Sequence, residues 1–156
     1  MLRYHSYDIV FREVPGEVTL AISLSNCPHR CPGCHSPYLQ SDLGEELDEA
    51  VVGGLLDRYG QALTCVCFMG GDADPELVQQ LALFVRARTG SRLKTAWYSG
   101  KAAIPDGISV KSFDYIKLGP YVEKLGGLDS PHTNQRFYKV DMQGQLTLYH
   151  YTCFAK

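Results

Sequence analysis

The chain has 156 residues, with 15 Lys and Arg against 17 Asp and Glu for a formal net charge of -2, and 45% of it is hydrophobic. That is enough material for a single domain over residues 1–156 to build a core without disulfide staples, and the near-neutral balance excludes a nucleic-acid binder held by phosphate neutralisation. No apolar stretch approaches a membrane span, and Met1-Leu2-Arg3-Tyr4-His5 lacks the apolar centre of a signal peptide, which predicts a cytoplasmic chain.

In chain order, Tyr7 to Arg12 alternates weakly and Pro15-Gly16 marks a turn. Val18 to Leu24 then reads as a buried strand, so the segment opens with a hairpin. From Glu45 onward Leu47, Val51, Leu55 and Tyr59 recur on one face and predict a helix, with Gly60 in the position of a C-terminal cap. Thr64 to Met69 is a second buried strand, running into Gly70-Gly71-Asp72. Asp74 then offers an N-cap and Pro75 a first helical residue, and Leu77, Val78, Leu81, Phe84 and Val85 supply a core stripe that Gly90 closes.

Leu93 to Tyr98 is a third strand ending at Ser99-Gly100, and Phe113 to Leu118 a fourth ending at Gly119-Pro120. No helical period is visible between them. Phe137 to Val140 and Leu146 to Tyr151 read as a closing hairpin around Gln143-Gly144. This alternation is the grammar of a parallel α/β sheet. A complete eight-fold barrel takes about 250 residues, so the expected fold is a shortened, open partial barrel of mainly parallel strands. Ligands bind at the carboxyl ends of strands in such sheets, and every unusual loop here falls at one of those ends.

Three of the six cysteines, Cys27, Cys31 and Cys34, fall within one short segment after the first buried strand. Without a secretory signal such a cluster reads as metal ligation, and thiolates select zinc or iron–sulfur centres. A structural zinc site needs a fourth ligand, for which His29, His35 or Cys153 is available. Three cysteines on a four-iron cluster instead leave one iron open to a substrate. Cys65 and Cys67 are read as small core residues.

The spacing Cys27-x3-Cys31-x2-Cys34, followed by Gly70-Gly71-Asp72 after the next strand, resembles the radical S-adenosylmethionine superfamily. Within it, Cys27-Pro28-His29-Arg30-Cys31-Pro32-Gly33-Cys34-His35, Trp97-Tyr98-Ser99-Gly100, Asp114 to Tyr121 and Asn134-Gln135-Arg136 are similar to the anaerobic ribonucleoside-triphosphate reductase activating proteins. Ser36 and His132-Thr133 depart from that pattern.

The resemblance implies a radical S-adenosylmethionine type of partial barrel and an oxidoreductase. It implies that Cys27, Cys31 and Cys34 hold a 4Fe-4S cluster and that S-adenosylmethionine chelates the open iron. A carrier such as flavodoxin supplies an electron, and reductive cleavage yields a 5′-deoxyadenosyl radical. That radical takes hydrogen from a glycine of the large subunit of the anaerobic (class III) reductase. The backbone around Gly33, Cys34 and His35 is expected to contact the cofactor, and Gly70, Gly71 and Asp72 its aminoacyl end. A short chain has little material for a lid, which favours a protein substrate that encloses the site. Two alternatives stand beside this: action on another glycyl-radical enzyme or a small molecule, and a non-catalytic zinc-binding module.

Overall fold

A computed structural model describes residues 1–25 and 44–155. Its regular elements are β1 (Leu2–Val10), β2 (Thr19–Leu24), β3 (Glu45–Leu47), α1 (Glu49–Tyr59), β4 (Cys65–Met69), α2 (Pro75–Thr89), β5 (Lys94–Tyr98), β6 (Tyr115–Leu118), β7 (Arg136–Val140) and β8 (Leu146–Leu148). All eight strands join one sheet in the order β3-β1-β2-β4-β5-β6-β7-β8.

The pairings overturn the expected barrel. β2, β4, β5 and β6 run parallel to one another. The pairs β1–β2, β1–β3, β6–β7 and β7–β8 are antiparallel, which makes four of the seven pairings antiparallel. Among the described residues only α1 and α2 are α-helices, and β5 connects to β6 through a stretch whose one regular piece is a 3₁₀ turn at Val110–Ser112. Over the described residues the fold is therefore a mixed sheet with antiparallel flanks and two short α-helices, and not a helix-surrounded parallel partial barrel.

The physical reason lies in the edges. β1 pairs along its length with β2 and also takes β3 on its other side, with Leu2 opposite Leu47 and Tyr4 opposite Glu45. Glu45–Leu47, read from periodicity as the beginning of a helix, is thus a strand. The helix waits for Asp48, whose carboxylate accepts from the Val51 N–H at 2.9 Å and caps the first turn. Its other end falls at Gly60 as expected: Gly60 is the C-cap, donates its N–H to the Leu56 carbonyl, has ordinary right-handed geometry and opens a 3₁₀ turn. The Gly60 carbonyl takes a hydrogen bond from the Arg92 guanidinium at 2.8 Å.

α2 follows its sequence signals closely. Asp74 accepts from the Leu77 N–H, Pro75 is the first helical residue, and Gly90 ends the helix in the left-handed conformation while donating to the Arg86 carbonyl. Both helices cover one face of the sheet, where Val52, Leu56, Val78, Leu81 and Val85 pack with Val66, Phe68 and Trp97. Strand alternation sends Cys65, Cys67, Ala96, Tyr115 and Phe137 to the other face. Among the described residues no α-helix covers that face; Val14, Leu128, Tyr149 and Phe154 pack there.

Candidate functional site

Because β2, β4, β5 and β6 are parallel neighbours, their carboxyl ends form a continuous edge. Backbone hydrogen bonds carry the order past the strands: Gly70 N–H to Tyr98 O at 2.9 Å, Ser99 N–H to Lys117 O at 2.9 Å, and Gly119 N–H to Lys101 O at 2.7 Å. The glycine-bearing loops singled out in the sequence are thus brought side by side. Cys27, Cys31, Gly33, Cys34 and His35 lie outside the described residues, as do His29 and Arg30.

The turn Gly70-Gly71-Asp72 is tightly built. Gly70 and Gly71 have φ of 110° and 89°, the region that favours glycine. A Cβ on Gly71 would sit 2.5 Å from Val78 Cγ2 and 2.9 Å from Leu24 Cδ1, and one on Gly70 would sit 3.3 Å from the Leu24 carbonyl oxygen. The turn therefore lies directly against the end of β2, two residues before segment 26–43 begins.

The carboxyl end of β5 holds this turn in place. The buried Trp97 donates its indole N–H to the Gly70 carbonyl at 2.7 Å. Asp72, only 6% exposed, accepts from the Ser99 hydroxyl at 2.6 Å on one oxygen and from the Gly100 N–H at 2.8 Å on the other. Below them, the buried Lys117 ammonium donates to the carbonyls of Ser99 and Gly119, each at 3.0 Å. Asp72, expected to meet a ligand amine, is thus also bonded within the chain. Sequence reasoning passed over Trp97, Ser99 and Lys117 as site-building residues. The signal for Trp97 and Ser99 was the Trp97-Tyr98-Ser99-Gly100 run itself, which carries an indole and a hydroxyl ahead of a glycine just past the strand; Lys117 had none beyond its place in the strand before Gly119.

Asn134 and Arg136 serve the loop between β6 and β7. The Asn134 amide donates to the Pro120 carbonyl at 3.0 Å, and Arg136 donates to the Thr133 carbonyl at 2.6 Å, so they tie that loop's beginning to its end and brace its last turn.

A second polar cluster lies at the amino ends of the same strands. Glu17, 7% exposed, accepts from the Tyr115 hydroxyl at 2.6 Å and the Lys94 ammonium at 2.9 Å. Burial pushes the Glu17 carboxyl upward, but hydrogen bonds from Tyr115, Lys94 and Thr64 together hold it below the usual range. Burial and the neighbouring carboxylate raise the Tyr115 phenol. Burial likewise raises the thiols of Cys65 and Cys67, so both pack as neutral core groups and neither is an activated nucleophile. A cleft of about 440 Å³ opens beside this cluster, lined by Arg86, Lys94, Lys111, Phe113 and Asp114. Two ion pairs lie in its wall, Arg86 to Asp114 at 3.1 Å and Lys94 to Glu17 at 2.9 Å.

Among the described residues no group of three or more His, Cys, Asp or Glu side chains could hold a metal ion, and the three thiols named from the sequence are not among those residues. No described helix is long and apolar enough to cross a membrane. No family model, curated protein or solved structure matches this chain.

Proposed function

We propose that this chain is a cytoplasmic radical S-adenosylmethionine oxidoreductase, an activase that generates the glycyl radical on the large subunit of an anaerobic ribonucleoside-triphosphate reductase. The observation that carries the reading is the placement of Gly70-Gly71-Asp72. This turn stands at the carboxyl end of β4 against the end of β2, the strand from which the segment bearing Cys27, Cys31 and Cys34 departs. The reading rests on that motif and this edge, not on a barrel.

The donor chemistry suits the cofactors. Three closely spaced thiols are soft ligands of the kind iron–sulfur clusters take. When bound, a 4Fe-4S cluster and S-adenosylmethionine would supply one-electron reductive cleavage of the sulfonium. Cys27, Cys31 and Cys34 would hold the cluster, and the backbone of Gly33, Cys34 and His35 would border the cofactor. Gly70 and Gly71 offer backbone free of side chains at the strand end, and Asp72 offers a carboxylate for an amino group. A flavodoxin-like carrier is the proposed electron donor. The reductase subunit, docking on the open edge, would exclude water from the reacting atoms.

Electron paramagnetic resonance on anaerobically reconstituted, reduced protein tests this directly. The expected result is a cluster signal that changes when S-adenosylmethionine is added and that disappears in the Cys27→Ala/Cys31→Ala/Cys34→Ala variant. The wild type should then produce a glycyl radical on the reductase subunit. One tightly held zinc with no cluster signal would instead establish a structural metal site and overturn the proposal.

A further inference from the structure

Ser99 joins two buried charged side chains. It is wholly buried, and each of its polar groups is engaged. Its N–H donates to the Lys117 carbonyl at 2.9 Å, and its own carbonyl accepts from the Lys117 ammonium at 3.0 Å. Its hydroxyl donates to Asp72 at 2.6 Å while accepting from the Lys101 N–H at 3.1 Å. A serine hydroxyl has one proton, and with the Lys101 N–H directed at its lone pairs that proton points to Asp72. Lys117 also grips the Gly119 carbonyl at 3.0 Å, which ties Ser99 to the end of β6. The Gly100 N–H holds the second carboxylate oxygen at 2.8 Å, so turning the carboxylate breaks both bonds.

We propose that Ser99 is a positioning residue for Asp72: its hydroxyl holds the carboxylate in the orientation that receives the ammonium of an aminoacyl-bearing nucleoside such as S-adenosylmethionine. This rests on the function proposed above. Ser99 acts through Asp72 and touches no ligand. Its effect is therefore confined to ligands that carry the amino group, because charge-assisted hydrogen bonds depend steeply on angle.

Two ligands separate this role from general support of the fold. S-adenosylhomocysteine and 5′-methylthioadenosine share the thioether nucleoside, and only the former carries the aminoacyl arm. Calorimetric titration of the reconstituted protein with each is the experiment. Ser99→Ala should weaken S-adenosylhomocysteine binding by about tenfold and leave 5′-methylthioadenosine unchanged. Adding Ser99→Ala to Asp72→Asn should produce no further loss. If Ser99→Ala does not fold, Ser99→Cys keeps the side-chain shape in a slightly larger group with a weaker donor, and the preference for the aminoacyl ligand should still fall. Equal weakening of both ligands, or no change in either, overturns the positioning role while leaving the function intact. A wild type that binds neither ligand overturns the function and this inference together.

Discussion

The two ends of β4, β5 and β6 both bury carboxylates, yet they use them differently. At the carboxyl ends the donors to Asp72 from the described residues include a hydroxyl and a backbone N–H, and the hydroxyl-bearing Ser99 is itself held by Lys117 and Lys101. At the amino ends Glu17 receives a phenol and also the counter-charge of Lys94. The first arrangement fixes a direction. The second joins the chain before β2 to β5 and β6, and it is a device of stability. Buried polar groups at the two ends of one sheet thus mark different roles, legible from what donates to them.

The largest effect that tests this contrast is expected at the turn. Gly71→Ala places a methyl 2.5 Å from Val78 Cγ2 at a positive φ, and should lower unfolding free energy by about 3 kcal/mol in urea titrations. A loss below about 1 kcal/mol would show the turn to be slack and the orienting role of that end misplaced.

Glu17→Gln comes next, at about 2 kcal/mol near neutral pH, since it removes a buried acceptor's charge from a half-exposed lysine and a phenol. Its pH dependence has a definite sign. The folded-state pKa of Glu17 is depressed, so its contribution is present above the unfolded value and lost as pH falls through the folded one. Lys94 is raised mainly by its hydrogen bond to Glu17, so its contribution persists below the ordinary lysine range and fades as pH rises through the folded value. The stability gap between wild type and Glu17→Gln should therefore close in acid. A gap that stays constant from neutral to acid pH would remove Glu17 from the stabilising end.

The smallest effect belongs to neither end. Asp57 and Arg88 meet at 2.7 Å on the helices with exposures of 70% and 42%, and Asp57→Ala should change stability by less than about 0.5 kcal/mol. A larger loss in thermal melting would mean that surface ties between α1 and α2 matter as much as the buried ends do.

Much of the fold is legible residue by residue. Asp74, Pro75 and Gly90 delimit α2 because capping and left-handed closure are local chemistry, settled within a few residues. The parallel strands from Thr19 to Leu118 were legible as apolar runs ending in glycine-bearing loops. β3 was not legible: Glu45–Leu47 is short, two of its residues are exposed, and only its pairing with Leu2–Tyr4 makes it a strand. The opening and closing hairpins are legible at their turns, whereas the pairing of β3 with β1 and of β7 with β6, which makes the sheet mixed, depends on contacts between distant residues. At the site, Gly70, Gly71 and Asp72 stood out by composition, whereas Ser99 and Lys117 acquire meaning only across strands, 27 residues and 18 residues from the groups they hold.

By itself the sequence determined the two helices, the order of the central strands, the cysteine-rich segment and the glycine-bearing turns, because these follow from local propensity and short-range spacing. The tertiary structure alone decided that β3 joins β1 and that β7 runs antiparallel to β6, which face the helices cover, and that Asp72 is held by Ser99. Those outcomes depend on pairing and burial between residues far apart in the chain, where the gain from a shared hydrogen bond or a filled core position outweighs local preference.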